Sequence, residues 1–263
     1  MTRVLSNSGL SLHSEMLLRA ALISFLLGTA VAAVPPGDFQ TRFAQAQSYQ
    51  RADDDLKALG VLEGPPPPPP LRDPWKLTQA FSLFRLDRLD RAEKVFRELL
   101  SNPALRAPAN FFVANCIFAR GRYAGALPYY EAAVKAGNVP GNPALNAYYY
   151  NQGLAFFQLH RYREAAGAFR TSTELYAQDP LPWLFLGRSQ AELGDFAKAI
   201  EAYEFAVRVR PDFRLAYYQL ARLHAEYGDK PRSEELFAKV KELREQELDE
   251  EQVLARRLKI SGR

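Results

Sequence analysis

The residues of this chain best suited to chemistry are few and scattered. Histidine occurs three times, at His13, His160 and His224, and cysteine once, at Cys116. A nucleophile needs a base within hydrogen-bond reach, and a structural zinc site needs several thiolates or imidazoles at close spacing. No such cluster is implied here: His160 falls on a turn, His224 at a packing place, and Cys116 reads as a small buried hydrophobe. No Gly-rich phosphate loop follows a strand, and no His-x-x-x-His pair occurs. Asp53-Asp54-Asp55 is a dense carboxylate run, but consecutive residues point around a helix instead of converging, which reads as a solvated face. The expectation is a binding protein with no catalytic residues, no cofactor and no metal.

Composition agrees with that expectation. The chain has 263 residues, 48% apolar and 24% charged, enough to bury a sizeable core and too apolar for a disordered chain. Its net charge of +4 is spread along the whole length, too dilute for a phosphate-tracking surface, so no nucleic-acid partner is expected. A single cysteine permits no internal disulfide.

The N-terminus reads as an export signal over residues 1–33. Met16-Leu17-Leu18-Arg19 precedes an uncharged run from Ala20 to Val34, with small residues before Pro35-Pro36-Gly37-Asp38. Cleavage fits after Ala32 or Ala33, and Met16 reads as an alternative start. The run covers roughly 22 Å as helix, short of the ~30 Å hydrocarbon core, so the rival reading of an uncleaved inner-membrane anchor ranks second. Export points to the periplasm.

Residues 34–63 form an N-terminal helical segment. Phe39, Phe43, Ala46, Tyr49, Ala52, Leu56 and Leu59 recur every three or four residues as one helix face, with Gly60 as a stop. Residues 64–72 form a proline-rich spacer in which Pro65 to Pro70 are expected to be extended.

From residue 73 to 247 the chain repeats itself, with repeats starting at Asp73, Ala107, Asn146, Pro180 and Arg214, at steps of 34, 39, 34 and 34. The eighth place holds Ala80, Ala114, Gly153, Gly187 and Ala221, and the twentieth Ala92, Ala126, Ala165, Ala199 and Ser233. The twenty-fourth holds Phe96, Tyr130, Phe169, Tyr203 and Phe237. Small residues let two antiparallel helices approach closely, and the aromatic fills the gap to the next repeat. The 39-residue step comes from five extra residues in the loop Gly137 to Pro143, expected to interrupt regular stacking. Residues 248–263 form a charged C-terminal tail that suits a cap helix.

The fourth repeat, with Trp183, Leu186, Gly187, Phe196, Ala199, Tyr203, Ala206 and Pro211, resembles the tetratricopeptide repeat family. The resemblance implies an all-α fold, an α-α solenoid or superhelix of about five helix pairs with a C-terminal cap helix. It also implies a concave groove lined by the first helix of each repeat and suited to a peptide or a partner helix. Carried over to this sequence, the groove-facing places hold Phe112, Asn115, Phe118, Tyr150, Asn151, Phe157, Gln158, Phe185, Arg188, Tyr218, Gln219 and Arg222, with Asn115 and Asn151 holding a ligand backbone. Phe111, Leu181 and Phe185 occupy the basic places of family members that grip a C-terminal carboxylate, so an aromatic or aliphatic segment is expected instead.

A ridge of turns carries Arg85, Arg88, Arg91, Arg120, Arg122, Arg161 and Arg163 in the first three repeats. The last two carry Glu192, Asp195, Glu226 and Asp229, a change of sign that would suit an acidic partner at the arginine end. The function these features imply is an exported interaction scaffold or adaptor in cell-envelope assembly or maintenance. The alternatives are a membrane-anchored structural subunit and an accessory subunit of an enzyme.

Overall fold

The computed structural model describes residues 38–64 and 66–261, so the predicted signal at 1–33 lies outside them. The described residues form twelve α-helices and no strand. No described helix is long and apolar enough to cross a membrane. The helices fall into two compact units that divide between Arg161 and Tyr162, inside the third repeat.

The first unit holds α1 (Asp38–Arg51), α2 (Asp55–Val61), α3 (Arg72–Arg85), α4 (Leu89–Glu98), α5 (Arg106–Ala119), α6 (Tyr123–Gly137) and α7 (Leu145–Gln158). The second holds α8 (Tyr162–Leu175), α9 (Pro180–Glu192), α10 (Phe196–Val209), α11 (Arg214–Glu226) and α12 (Lys230–Ser261). The first helices of the five repeats are α3, α5, α7, α9 and α11. All ten small residues at the eighth and twentieth places are buried. At the fifteenth place every repeat turns through a left-handed residue: Asp87 (φ 58°), Gly121 (73°), His160 (57°), Gly194 (77°) and Gly228 (78°). His160 is thus a turn residue, standing where glycine is the usual choice.

The single helix expected over Phe39 to Leu59 is two helices. Asp53 adopts φ 57°, and the Asp54 carboxylate accepts a hydrogen bond from the Lys57 backbone N–H at 3.2 Å, starting α2; Gly60 lies inside that helix. Aspartate favours such caps over helix interiors. Of the three aspartates, Asp53 stays on the solvated face while Asp55 turns inward. Arg85 donates to Asp53 (2.5 Å) and to Asp55 (2.9 Å), and Asp55 is buried.

The α1–α2 hairpin closes the outer side of the first repeat. Phe39 meets the Trp75 ring edge-on (5.9 Å), Phe43 stacks on it (6.3 Å), and the Arg42 guanidinium lies 5.2 Å from its centre. Arg42 also donates to the carbonyls of Val61 (2.7 Å) and Glu63 (2.6 Å). Gln50 donates to the Thr78 carbonyl and the Ser82 hydroxyl, both at 2.8 Å.

The proline block is not the uniformly extended spacer its composition suggests. Pro67 is buried, its carbonyl accepts from Arg72 (3.4 Å), and the chain turns through a cis Pro69–Pro70 peptide to bury Leu71 at the start of α3. The five-residue insertion does not break the packing. The Asn142 side chain donates to the Gly137 carbonyl (2.7 Å), α6 packs on α7, and Tyr148 lies 4.9 Å from Phe111.

In the second unit α8 packs on α9, and α9–α10 and α11–α12 are antiparallel pairs. Leu184, Tyr203, Phe213, Leu220, Leu223 and Leu236 form its core. The charged C-terminal segment from residue 248 is helical to Ser261 and continues the second helix of the fifth repeat. α12 is one unbroken helix to Ser261, because no glycine or proline follows Pro231 within it to stop it.

Candidate functional site

The first helices carry the predicted groove residues, and the structure separates those residues into three groups. Phe112, Asn115, Tyr150 and Asn151 are core residues, at most 2% exposed, which corrects their assignment to an open surface. Helical spacing put them on the right helices but not on the solvent side. Phe112 is held among Phe81 (4.4 Å), Phe96 (5.1 Å, stacked) and Phe111 (5.1 Å). Asn115 Oδ1 accepts from the Tyr130 hydroxyl at 2.6 Å, and Asn151 Nδ2 donates to the Ala147 carbonyl at 2.9 Å. Asn151 therefore ties its own helix together.

Phe118, Phe157, Phe185, Arg188 and Gln219 are half-buried, and Gln158, Tyr218 and Arg222 are exposed. In the first unit Phe118 packs on Tyr123 (4.9 Å) and Tyr130 (6.5 Å). In the second, Phe185 stacks on Phe169 (5.6 Å), and the Arg188 guanidinium lies 5.2 Å from the Phe185 ring centre. Tyr218 meets Phe237 edge-on at 6.0 Å, and Arg222 pairs with Glu226 at 3.5 Å.

Sequence reasoning missed Phe81, Phe84 and Tyr123, which are half-buried and belong to the same aromatic network as Phe112 and Phe118. Phe81 and Phe84 stand at the ninth and twelfth places of the first repeat, so the groove register would have found both. The network surrounds a polar group of note. Asn115 Nδ2 is buried and has no hydrogen-bond partner, although its Oδ1 is engaged. A buried amide N–H₂ left unmatched costs about 1–3 kcal/mol, which sets Asn115 against the stability of this core.

Two arginines of the ridge, Arg85 and Arg120, are ion-paired where they stand. Arg85 serves Asp53 and Asp55, Arg120 pairs with Asp90 and Glu93, and the Arg161 guanidinium lies 4.6 Å from the Phe156 ring centre. Among the acidic turn residues, Asp195 caps α10 and pairs with Lys198, while Asp229 pairs with His224 at 3.0 Å. Arg88, Arg91 and Arg122 are exposed. A shallow concavity on α4, lined by Asp90, Glu93, Lys94, Arg97 and Glu98, is a surface where Glu93 already pairs with Arg97 (2.7 Å).

Among the described residues no group of His, Cys, Asp and Glu is placed to hold a metal ion. Cys116 is fully buried, and burial, followed by the Asp90 charge, pushes its thiol far above the ordinary range. It should therefore resist a thiol reagent at pH 8 in the folded chain and react at the free-cysteine rate in denaturant. Fast labelling of the folded chain would contradict the burial.

A crystal structure of MamA matches with a TM-score of 0.60 at 19% identity, covering 65% of this chain and 96% of that one. A MamA fragment from Desulfovibrio magneticus matches at 0.51 and 17%, covering 81% and 98%. YrrB, a TPR protein with an unusual peptide-binding site, matches at 0.57 and 18%, covering 75% and 93%. At such identities the likeness is one of fold. No curated protein matches the chain by sequence. The tetratricopeptide repeat sequence model matches residues 77–143, 150–204 and 184–247, most of the chain and the same helix pairs that the small and aromatic places define. With helix pairs, repeat register and sequence model in agreement, the chain belongs to the tetratricopeptide repeat family.

Proposed function

We propose that this chain is an exported adaptor of the cell envelope that binds a segment of a protein partner along the first-helix face of its first unit. The observation that carries the reading is a set of half-open aromatic rings, Phe81, Phe84, Phe118 and Tyr123, that belong to one network across the first two repeats. Partly open aromatic rings supply apolar contact for an aromatic or aliphatic segment of a partner. The peptide-binding site of YrrB, a protein of similar fold, supports a peptide as the ligand class. Export rests on the sequence of residues 1–33 and makes the periplasm the compartment.

Capture from detergent-solubilised envelopes tests the groove. Alanine at Phe112, Asn115, Tyr150 and Asn151 together would empty the core, so the informative variant is Phe84→Gln with Phe118→Gln, at half-buried positions. Partner recovery should fall at least about tenfold with helicity retained; equal recovery by both chains would remove this face from the site. Sequencing the N-terminus of the cell-derived protein tests export separately. A start at Ala33 or Val34 is expected, and retention of residues 1–33 would replace cleavage with anchoring.

A further inference from the structure

The fifth repeat leaves open a face that the preceding four keep covered. At the twenty-fourth place Phe96, Tyr130, Phe169 and Tyr203 are at most 1% exposed, whereas Phe237 is 39% exposed. At the fifth place Leu77, Phe111, Tyr150 and Leu184 are at most 2% exposed, whereas Tyr218 is 41% exposed. Two independent positions in the repeat thus mark one uncovered face on α11 and α12. Leu215 lies one turn from Tyr218, and Leu248 lies three turns beyond Phe237; both are exposed. Spacing places Phe237, Lys241, Arg244 and Leu248 on one side of α12, and Leu215, Tyr218 and Arg222 on one side of α11. The face is therefore apolar with three cations. The pairs Arg222–Glu226 (3.5 Å) and Lys241–Glu245 (3.9 Å) are exposed and weak.

What such a face accepts is a helix with apolar residues and an acidic margin, and the chain carries one that it cannot fold onto itself. α12 runs back along α11 until Glu247 meets Arg214, the first residue of α11, at 2.9 Å. Residues 248–261 continue as helix past that end for roughly 21 Å. An unbroken helix cannot turn back, and a helical stretch of this length standing alone in water is marginal. Its sequence opens with the acidic run Asp249, Glu250 and Glu251 and continues with Val253, Leu254 and Leu258.

We propose that two copies of the chain pair about a two-fold axis. The α12 extension of each copy covers the Tyr218–Phe237 face of the other, with its acidic run against Arg222, Lys241 and Arg244. Head-to-tail stacking of repeats has no site to use, because the α1–α2 hairpin already closes the outer side of α3 over Trp75. Like faces must therefore meet, which gives a closed dimer instead of a filament.

Sedimentation equilibrium on the full chain expressed without residues 1–33, from about 1 to about 100 µM, tests this. A dimer is expected, and it should weaken as salt rises. Tyr218→Lys with Phe237→Lys changes side chains that are already substantially exposed, and it should raise the dimer Kd at least about 100-fold with helicity unchanged. Removing residues 248–263 should do the same. Lys241→Glu with Arg244→Glu should also dissociate the dimer, and adding Asp249→Lys with Glu251→Lys should restore it. A wild-type monomer at the highest concentration, or a dimer indifferent to both the lysine pair and the truncation, overturns the proposal.

Discussion

Trp75→Ala is expected to detach the α1–α2 hairpin and lower stability by about 3–5 kcal/mol. The indole is 1% exposed and joins the hairpin to the first repeat, with Phe39, Phe43 and Arg42 against it and Ala46 and Leu62 in the same cluster. Alanine would remove most of the apolar area that α1 buries and leave a cavity that two helices cannot collapse to fill. Urea denaturation followed by far-ultraviolet circular dichroism measures the loss, and proteolysis at the Ala52–Asp54 break should accelerate with it. A midpoint unchanged from wild type would mean that the hairpin is a passive attachment. Phenylalanine in its place keeps an aromatic partner for Phe43 and should recover much of the loss.

The second large effect is expected at Gly187. A Cβ there would lie 2.6 Å from two ring carbons of Tyr203, and that ring is 1% exposed with nowhere to move. Gly→Ala in an open helix gains about 1 kcal/mol; here the overlap opposes the gain, and a branched side chain makes it prohibitive. Gly187→Val should destabilise by about 3 kcal/mol, at the upper end of what overpacking costs. Tyr203→Leu alone should also destabilise, but the double variant should be less unstable than the sum of the two, because the smaller side chain vacates the space that valine needs. Additivity of the two losses in thermal melts would show that the contact is not the cause.

This contact explains why the repeat was legible in sequence. Gly187 and Tyr203 stand at the eighth and twenty-fourth places, and the close approach of two helices leaves a trace in residue size that survives at every repeat. The break at Asp53 left no such trace. Tyr49, Ala52, Leu56 and Leu59 keep helical spacing straight across it, and the left-handed residue is aspartate where glycine would have announced a turn. The groove was half legible. Spacing chose the correct helices, but the burial of Asn115 depends on a Tyr130 hydroxyl from the following helix, and periodicity within one helix carries no information about that. The open face of the fifth repeat was hidden for a related reason. Tyr218 and Phe237 have the residue types of covered positions, and only their exposure in the folded chain shows them uncovered.

The two tryptophans of the chain fall one to each unit, and this makes the division at Arg161 optically accessible. Trp75 is sealed beneath two phenyl rings, whereas Trp183 is half-open, stacked on Phe205 at 4.6 Å with its Nε1 donating to the Ala177 carbonyl at 2.9 Å. Under excitation that only indole absorbs, each unit therefore holds its own fluorophore in its own environment. In chains with a single remaining tryptophan, superimposable emission transitions would mean that the two units melt as one cooperative body. Displaced transitions would give each unit a stability of its own, readable without cutting the chain.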